Sequence, residues 1–148
     1  MLHFTDYDTR LAAYAAIVDD NDRILLSYSN GEGRFTPSWT MPGGGVEFDE
    51  NIPSAIVREV YEETGFAVEL GELLLVDTWF REEGERGRPF KAVRVVHHAR
   101  ITGGSLGTVE EGGSTDEARW FPIADVAGLE RTALVDVVIA ARRGGRPD

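Results

Sequence analysis

The sequence predicts a single α+β domain, a mixed β-sheet with helices packed on it. Three observations lead there. Short β-rich runs outnumber the stretches with helical periodicity, of which there are two. No internal repeat or low-complexity linker divides the chain, so one unit spans residues 1–148. Hydrophobic residues make up 42% and charged residues 28%, which supports one core at this length and excludes disorder and collagen-like repeats.

The elements follow in order. Residues 11–18, LAAYAAIV, are apolar and end at the turn signal Asp19-Asp20-Asn21-Asp22; RILLSYS (23–29) follows, so the pair reads as a hairpin. A loop rich in Gly, Ser and Asn leads to Trp39-Thr40-Met41 and the run Pro42-Gly43-Gly44-Gly45. Asn51 is a good N-cap, and Pro53 falls in the first helical turn, where a missing N–H costs nothing. Ile52, Ile56 and Val60 then recur on one helical face, and Thr64-Gly65 ends the helix with Gly65 at C′. Residues 67–80 read as extended, with a break at Gly71; 81–89 as a hairpin loop; 90–101 as β-rich. Residues 103–115 form a glycine-heavy loop, 118–123 a short strand, and 132–143 a terminal amphipathic helix.

Several functions are excluded. No uncharged apolar run approaches 18 residues, so no membrane-spanning helix is expected. The start, MLHFTDYDTR, lacks the order of a signal peptide, which leaves the cytoplasm as the default location. The absence of cysteine removes disulfides, thiolate zinc sites and cysteine nucleophiles together. The net charge of −11 opposes binding to a nucleic-acid backbone, which needs clustered Lys and Arg.

The position of the acid is more informative than its total. Residues 44–66 hold Glu47, Asp49, Glu50, Glu59, Glu62 and Glu63 against Arg58 alone. On a helix, Glu59, Glu62 and Glu63 share a sector roughly 100° wide that overlaps the Ile52–Ile56–Val60 stripe, so they point toward the body of the protein. A solvated acidic face fits this poorly. Like charges at these spacings repel, and they stand at the helix C-terminus, where the macrodipole disfavours anions. A hard divalent cation, Mg²⁺ or Mn²⁺, would balance them through oxygen ligands. Gly43-Gly44-Gly45 would let backbone approach such a ligand closely.

These residues resemble the Nudix box at every specified position. The match runs from Gly44 through five residues to Glu50, then seven to Arg58-Glu59-Val60, one to Glu62-Glu63, and one to Gly65-Phe66. Trp39-Thr40-Met41-Pro42-Gly43-Gly44 is similar to the family's lead-in, and Arg119-Trp120-Phe121-Pro122-Ile123 to a stretch near its C-terminal end. The resemblance implies an α/β/α sandwich of the Nudix fold. It also implies Mg²⁺-dependent hydrolysis of a nucleoside di- or triphosphate, or of a nucleoside diphosphate derivative, with Mn²⁺ as substitute ion. By the same resemblance Glu59 and Glu63 are metal ligands, and Glu62 shares the ion or activates water. The Gly44 carbonyl is a further ligand and Glu47 an occasional one, while Glu50 and Arg58 pair to fix the loop against the helix. Asp49 stands where family members often carry Gly. Homodimers are frequent in the family. A non-catalytic member that senses a nucleotide or binds a partner is the alternative, disfavoured because every box carboxylate is retained.

Weaker candidates remain. A base outside the box would come from Glu110, Glu111, Asp116 or Glu117, each of which reads first as a solvated loop acid. His97 and His98 are adjacent in a strand, face opposite sides, and cannot chelate one ion together. Trp39, Trp79, Phe80 and Phe35 could stack on a base but read first as core. Arg81, Arg86, Arg88 and Lys91 could reach phosphates or a partner chain but, mixed with Glu82, Glu83 and Glu85, read first as a soluble hairpin tip. Trp39 and Arg81 are kept as candidate substrate contacts. Family hallmarks for ADP-ribose, dinucleoside polyphosphate, coenzyme A and NADH substrates are missing. A compact MutT-like nucleotide hydrolase remains by elimination.

Overall fold

A computed structural model describes residues 1–33 and 36–144. Phe35 therefore lies outside the described residues, as do 145–148. Two sheets carry the fold. The first is mixed: β1 (Asp8–Ala16) runs parallel to β6 (Phe90–Gly104), and β4 (Gly43–Gly45) and β5 (Phe66–Arg81) close the two sides antiparallel, in the order β4-β1-β6-β5. The second is antiparallel, with β2 (Arg23–Ser29) between β3 (Ser38–Thr40) and β7 (Thr115–Pro122). Helix α1 (Ile52–Thr64) precedes β5, and α2 (Ala133–Gly144) follows a 3-10 turn at Ile123–Gly128.

The α+β class, with a mixed sheet and flanking helices, is the one the sequence predicts. Residues 11–29, however, form a hairpin only at its root. Asp19 N–H donates to the Arg23 carbonyl, Leu25 N–H to that of Ile17, and Val18 bridges Ile24; beyond that point β1 and β2 enter different sheets. The reason lies in the run LAAYAAIV, which is apolar on both faces and so demands an internal strand. Ala13, Ala15 and Ile17 pack with Leu25, Val95 and the α1 residues Ile56 and Val60. Ala16, from the opposite face, packs with Ile24, Leu26, Val96 and the α2 residues Leu134, Val135 and Val138. The two helices thus cover opposite sides of the strands.

Gly71 does not end the strand. The β5–β6 register shifts between Leu70 and Leu73, a bulge at which a Cβ on Gly71 would stand 3.3 Å from that of His98. No helix among the described residues is long and apolar enough to cross a membrane.

Candidate active site

The site is built on α1. Asn51 caps it by accepting from Ser54 N–H at 2.9 Å, and Gly65, at φ 80°, turns the chain out of the helix while its N–H donates to the Tyr61 carbonyl. Ile56 and Val60 are fully buried, and Glu63, three residues beyond Val60 on the same face, is carried in with them to 8% exposure. The last turn then leaves unpaired carbonyls and three glutamates together, an unfavourable combination at the negative end of a helix. Two devices offset it.

The first is Arg58. Its Nε and Nη2 donate to the two Glu50 oxygens at 3.0 and 2.6 Å, and its Nη1 reaches Glu59 at 3.2 Å and Glu62 at 3.1 Å. Glu47 N–H donates to Glu50 as well. This fork and the Glu47 amide hold the Glu50 carboxyl down at about 2. The second device is the loop at 105–114. Gly107 N–H donates to the Thr64 carbonyl, Val109 and Glu110 N–H to that of Glu62, and Thr108 Oγ1 to that of Glu63. The loop is therefore anchored by the helix end, and it brings Glu110 to the carboxylates.

Glu59, Glu62, Glu63 and Glu110 line one small pocket of ≈ 20 Å³ with Thr108 and Thr115. Burial pushes the Glu63 carboxyl up to about 8, although Thr115 Oγ1 and Gly43 N–H, each at 2.7 Å, favour its charged form. Glu59 and Glu62 are also raised, first by desolvation, against the pull of Arg58; Glu110 adds to the rise at Glu62. Gly44 stands against Glu59, since a Cβ there would come 2.9 Å from Oε1. Gly43 can carry no side chain, because its Cβ would fall 2.3 Å from the Ala13 carbonyl oxygen.

The donor chemistry fits a hard divalent cation: several glutamate oxygens in one pocket, with raised proton affinity and one arginine to share. Among the described residues no three side chains already converge on one ion position. Arg58 draws Glu59 and Glu62 one way, and Thr115 and Gly43 hold Glu63 another.

Other sequence candidates fall elsewhere. Glu47 and Asp49 are exposed and outside the pocket, and so is Glu111. Asp116 accepts from Asn30, and Glu117 pairs with Arg119 at 3.0 Å, both on the surface. His97 binds the Gly71 carbonyl, while His98 lines a separate cavity beside α2. Trp39 needs correction as a substrate contact: it is 9% exposed, meets Phe121 edge-on at 4.7 Å and lies under the Arg119 guanidinium, so no ring face is open to a base. Phe80 and Trp79 are exposed rather than core, as their edge strand β5 explains. Arg81 borders a groove of ≈ 570 Å³ that shares Ser114 with the carboxylate pocket. Thr115, Thr108 and the groove residue Arg10 carry no sequence signal of their own.

A family model described as NUDIX domain matches residues 8–141. The human 8-oxo-dGDP phosphatase NUDT18 is 36% identical over 109 residues, 73% of this chain and 31% of that protein. The mouse diphosphoinositol polyphosphate phosphohydrolase 2 is 34% identical over 90 residues, 61% of this chain and 47% of that protein. The chain thus spans less than half the length of these two curated relatives. Among solved structures, a MutT NUDIX hydrolase from Burkholderia pseudomallei superposes with a TM-score of 0.70 at 28% identity, covering 90% of this chain and 98% of that one.

Proposed function

The chain belongs to the NUDIX family, and on that premise we propose that it is a Mg²⁺-dependent hydrolase that cleaves the diphosphate linkage of a nucleoside di- or triphosphate or of a nucleoside diphosphate derivative. The observation that carries this reading is the pocket that Glu59, Glu62, Glu63 and Glu110 line together, where burial raises the proton affinity of Glu59, Glu62 and Glu63. Relatives named for phosphatase and phosphohydrolase activity on phosphorylated compounds support it.

Glu59 and Glu63 would hold the ion, with the Gly44 carbonyl beside them and Glu62 sharing it or taking the water's proton. When bound, such a cation would supply charge neutralisation at the diphosphate oxygens and lower the pKa of water. The remaining work belongs to the chain. Arg58 favours the charged forms of Glu59 and Glu62 against the effect of burial and orients them, and its fork to Glu50 locks the glycine loop to α1. Thr115 and Gly43 hold the Glu63 carboxyl in one orientation. Glu62 is aimed for proton transfer, its basicity raised by burial and by Glu110.

The test is a panel of nucleoside di- and triphosphates, nucleoside diphosphate sugars and dinucleoside polyphosphates, assayed with Mg²⁺ and with EDTA. Release of phosphate, pyrophosphate or a nucleoside monophosphate in Mg²⁺ alone is the expected result. Silence across the whole panel contradicts the reading.

A further inference from the structure

The groove beside the carboxylates differs from the pocket in carrying arginines as well as acids, and its construction is legible in the strand register. Successive residues in β1 alternate faces, so Arg10, Ala12 and Tyr14 share one. Parallel pairing sets Arg10 beside Ala92 and Ala12 beside Arg94, and the antiparallel β5 adds Trp79 and Asp77 to those rows. Gly45 of β4 lies next to Ala12 on the other side. Ala92 leaves the middle of the groove without bulk, and around it stand Arg10, Trp79, Arg81, Arg86, Phe90 and Arg94 together with the carboxylates of Asp8, Glu32 and Glu85. The other end of the same face, at Ala16 and Val96, is covered by α2.

The cations of this wall are not equally engaged. Arg94 pairs with Asp77, and Arg86 approaches Asp8 at 3.9 Å. Arg10 and Arg81 make no ion pair and no side-chain hydrogen bond among the described residues. Arg10 Nη2 instead rests 3.2 Å from where a Gly45 Cβ would stand, which holds its guanidinium over the glycine strand that leads to the carboxylates. Arg81 stacks on Trp79 and Phe90, with ring centroids at 5.6 and 5.7 Å, and its Nε is a buried donor without an acceptor. A buried N–H without a partner costs free energy, and a planar guanidinium matches a phosphate with two donors.

We propose that Arg10 and Arg81 bind a phosphate group of the substrate in this groove, so that the favoured substrate carries phosphate beyond the diphosphate that is cut. The placement relative to the scissile bond rests on the proposed function; the anion subsite itself does not. Its walls select charge and flatness, a phosphate against the guanidinium groups with the rest of the molecule along Trp79. An uncharged sugar or base could accept a hydrogen bond there but would bring no negative charge to the two guanidinium groups.

Calorimetric titration of the full chain with sodium tripolyphosphate in EDTA reads the subsite without metal and without hydrolysis. Binding is expected, weakened about ten-fold or more by Arg10→Gln and by Arg81→Gln and weakened by added salt. Arg10 is exposed, so Arg10→Gln is expected to keep the wild-type melting temperature and to stand as evidence even where Arg81→Gln unfolds. Displacement by guanosine triphosphate or by inositol hexakisphosphate supports the proposal and tells a nucleotide source from a phosphorylated polyol. Absence of tripolyphosphate binding, unchanged affinity in Arg10→Gln, or equal displacement by uncharged guanosine overturns it. A protein that binds tripolyphosphate but cleaves nothing in the panel refutes the hydrolase and leaves the subsite standing.

Discussion

The carboxylate pocket and the arginine groove are neighbours with opposite imbalances. In the pocket, four glutamates meet, of which only Glu59 and Glu62 reach Arg58, and burial pushes the most buried, Glu63, up to about 8. In the groove, Arg10 and Arg81 make no ion pair among the described residues, although Asp8, Glu32 and Glu85 line the same groove, and the Nε of Arg81 is buried without an acceptor. Neither half is satisfied by the protein itself. On the proposed reading a cation would complete one and an anion the other, and a phosphorylated molecule with its metal would then span both in a chain of net charge −11.

The largest effect should come from the pocket. Glu62→Gln or Glu63→Gln is expected to lower turnover about a thousand-fold with the fold intact, measured by product release at saturating nucleotide. Full activity in either variant would remove the distinction between the two regions. Gly44→Ala comes next. Its methyl would press to 2.9 Å from Glu59 Oε1, and a drop of roughly ten-fold in kcat/KM, with little change in melting, is expected because the carboxylate must move.

Acidity sharpens the comparison. Glu63 is raised in the folded state, so below its unfolded value of 4.5 both states are protonated and it imposes no penalty. As pH rises from 4.5 to about 8 the unfolded chain gives up this proton first, and stability falls. Glu59 and Glu62 act in the same direction. Glu50, held at about 2, acts oppositely, its contribution present above 4.5 and lost as pH falls toward 2. Metal-free protein should therefore melt highest near pH 4.5, and denaturant unfolding across pH 3–9 checks this. The smallest effect belongs to the helix that carries the pocket: Asn51→Ala should cost about 1 kcal/mol in the same unfolding assay, through loss of the bond from Ser54 N–H.

The two regions also differ in how visible they were before folding. Glu59, Glu62 and Glu63 lie within one helix, whose period places them together, so the pocket could be read from 23 consecutive residues. The groove could not, because Arg10, Arg81 and Arg94 meet only through the pairing of β1, β6 and β5, and pairing register is not written in any one strand. The loop carrying Glu110 was equally hidden: backbone N–H groups docking on helix carbonyls hold it, and these have no side-chain signature. Of the two readings Trp39 allowed, core packing is the one it adopts, and composition does not say which ring faces are covered. The hairpin at 11–29 misled because its turn is real while its strands, apolar on both faces, separate into two sheets.

The central claim is that buried carboxylates at the end of α1 store an imbalance which a divalent cation relieves. Melting of wild type and Glu63→Gln at pH 7.5, each with EDTA and with excess Mg²⁺, tests it most directly. Glu63→Gln should melt higher than wild type in EDTA, because a neutral amide replaces the buried acid. Mg²⁺ should raise wild type by the equivalent of about 2–3 kcal/mol at a hundred-fold excess over Kd and leave the variant nearly unmoved. A variant that melts lower than wild type in EDTA, yet keeps the full Mg²⁺ shift, would contradict it.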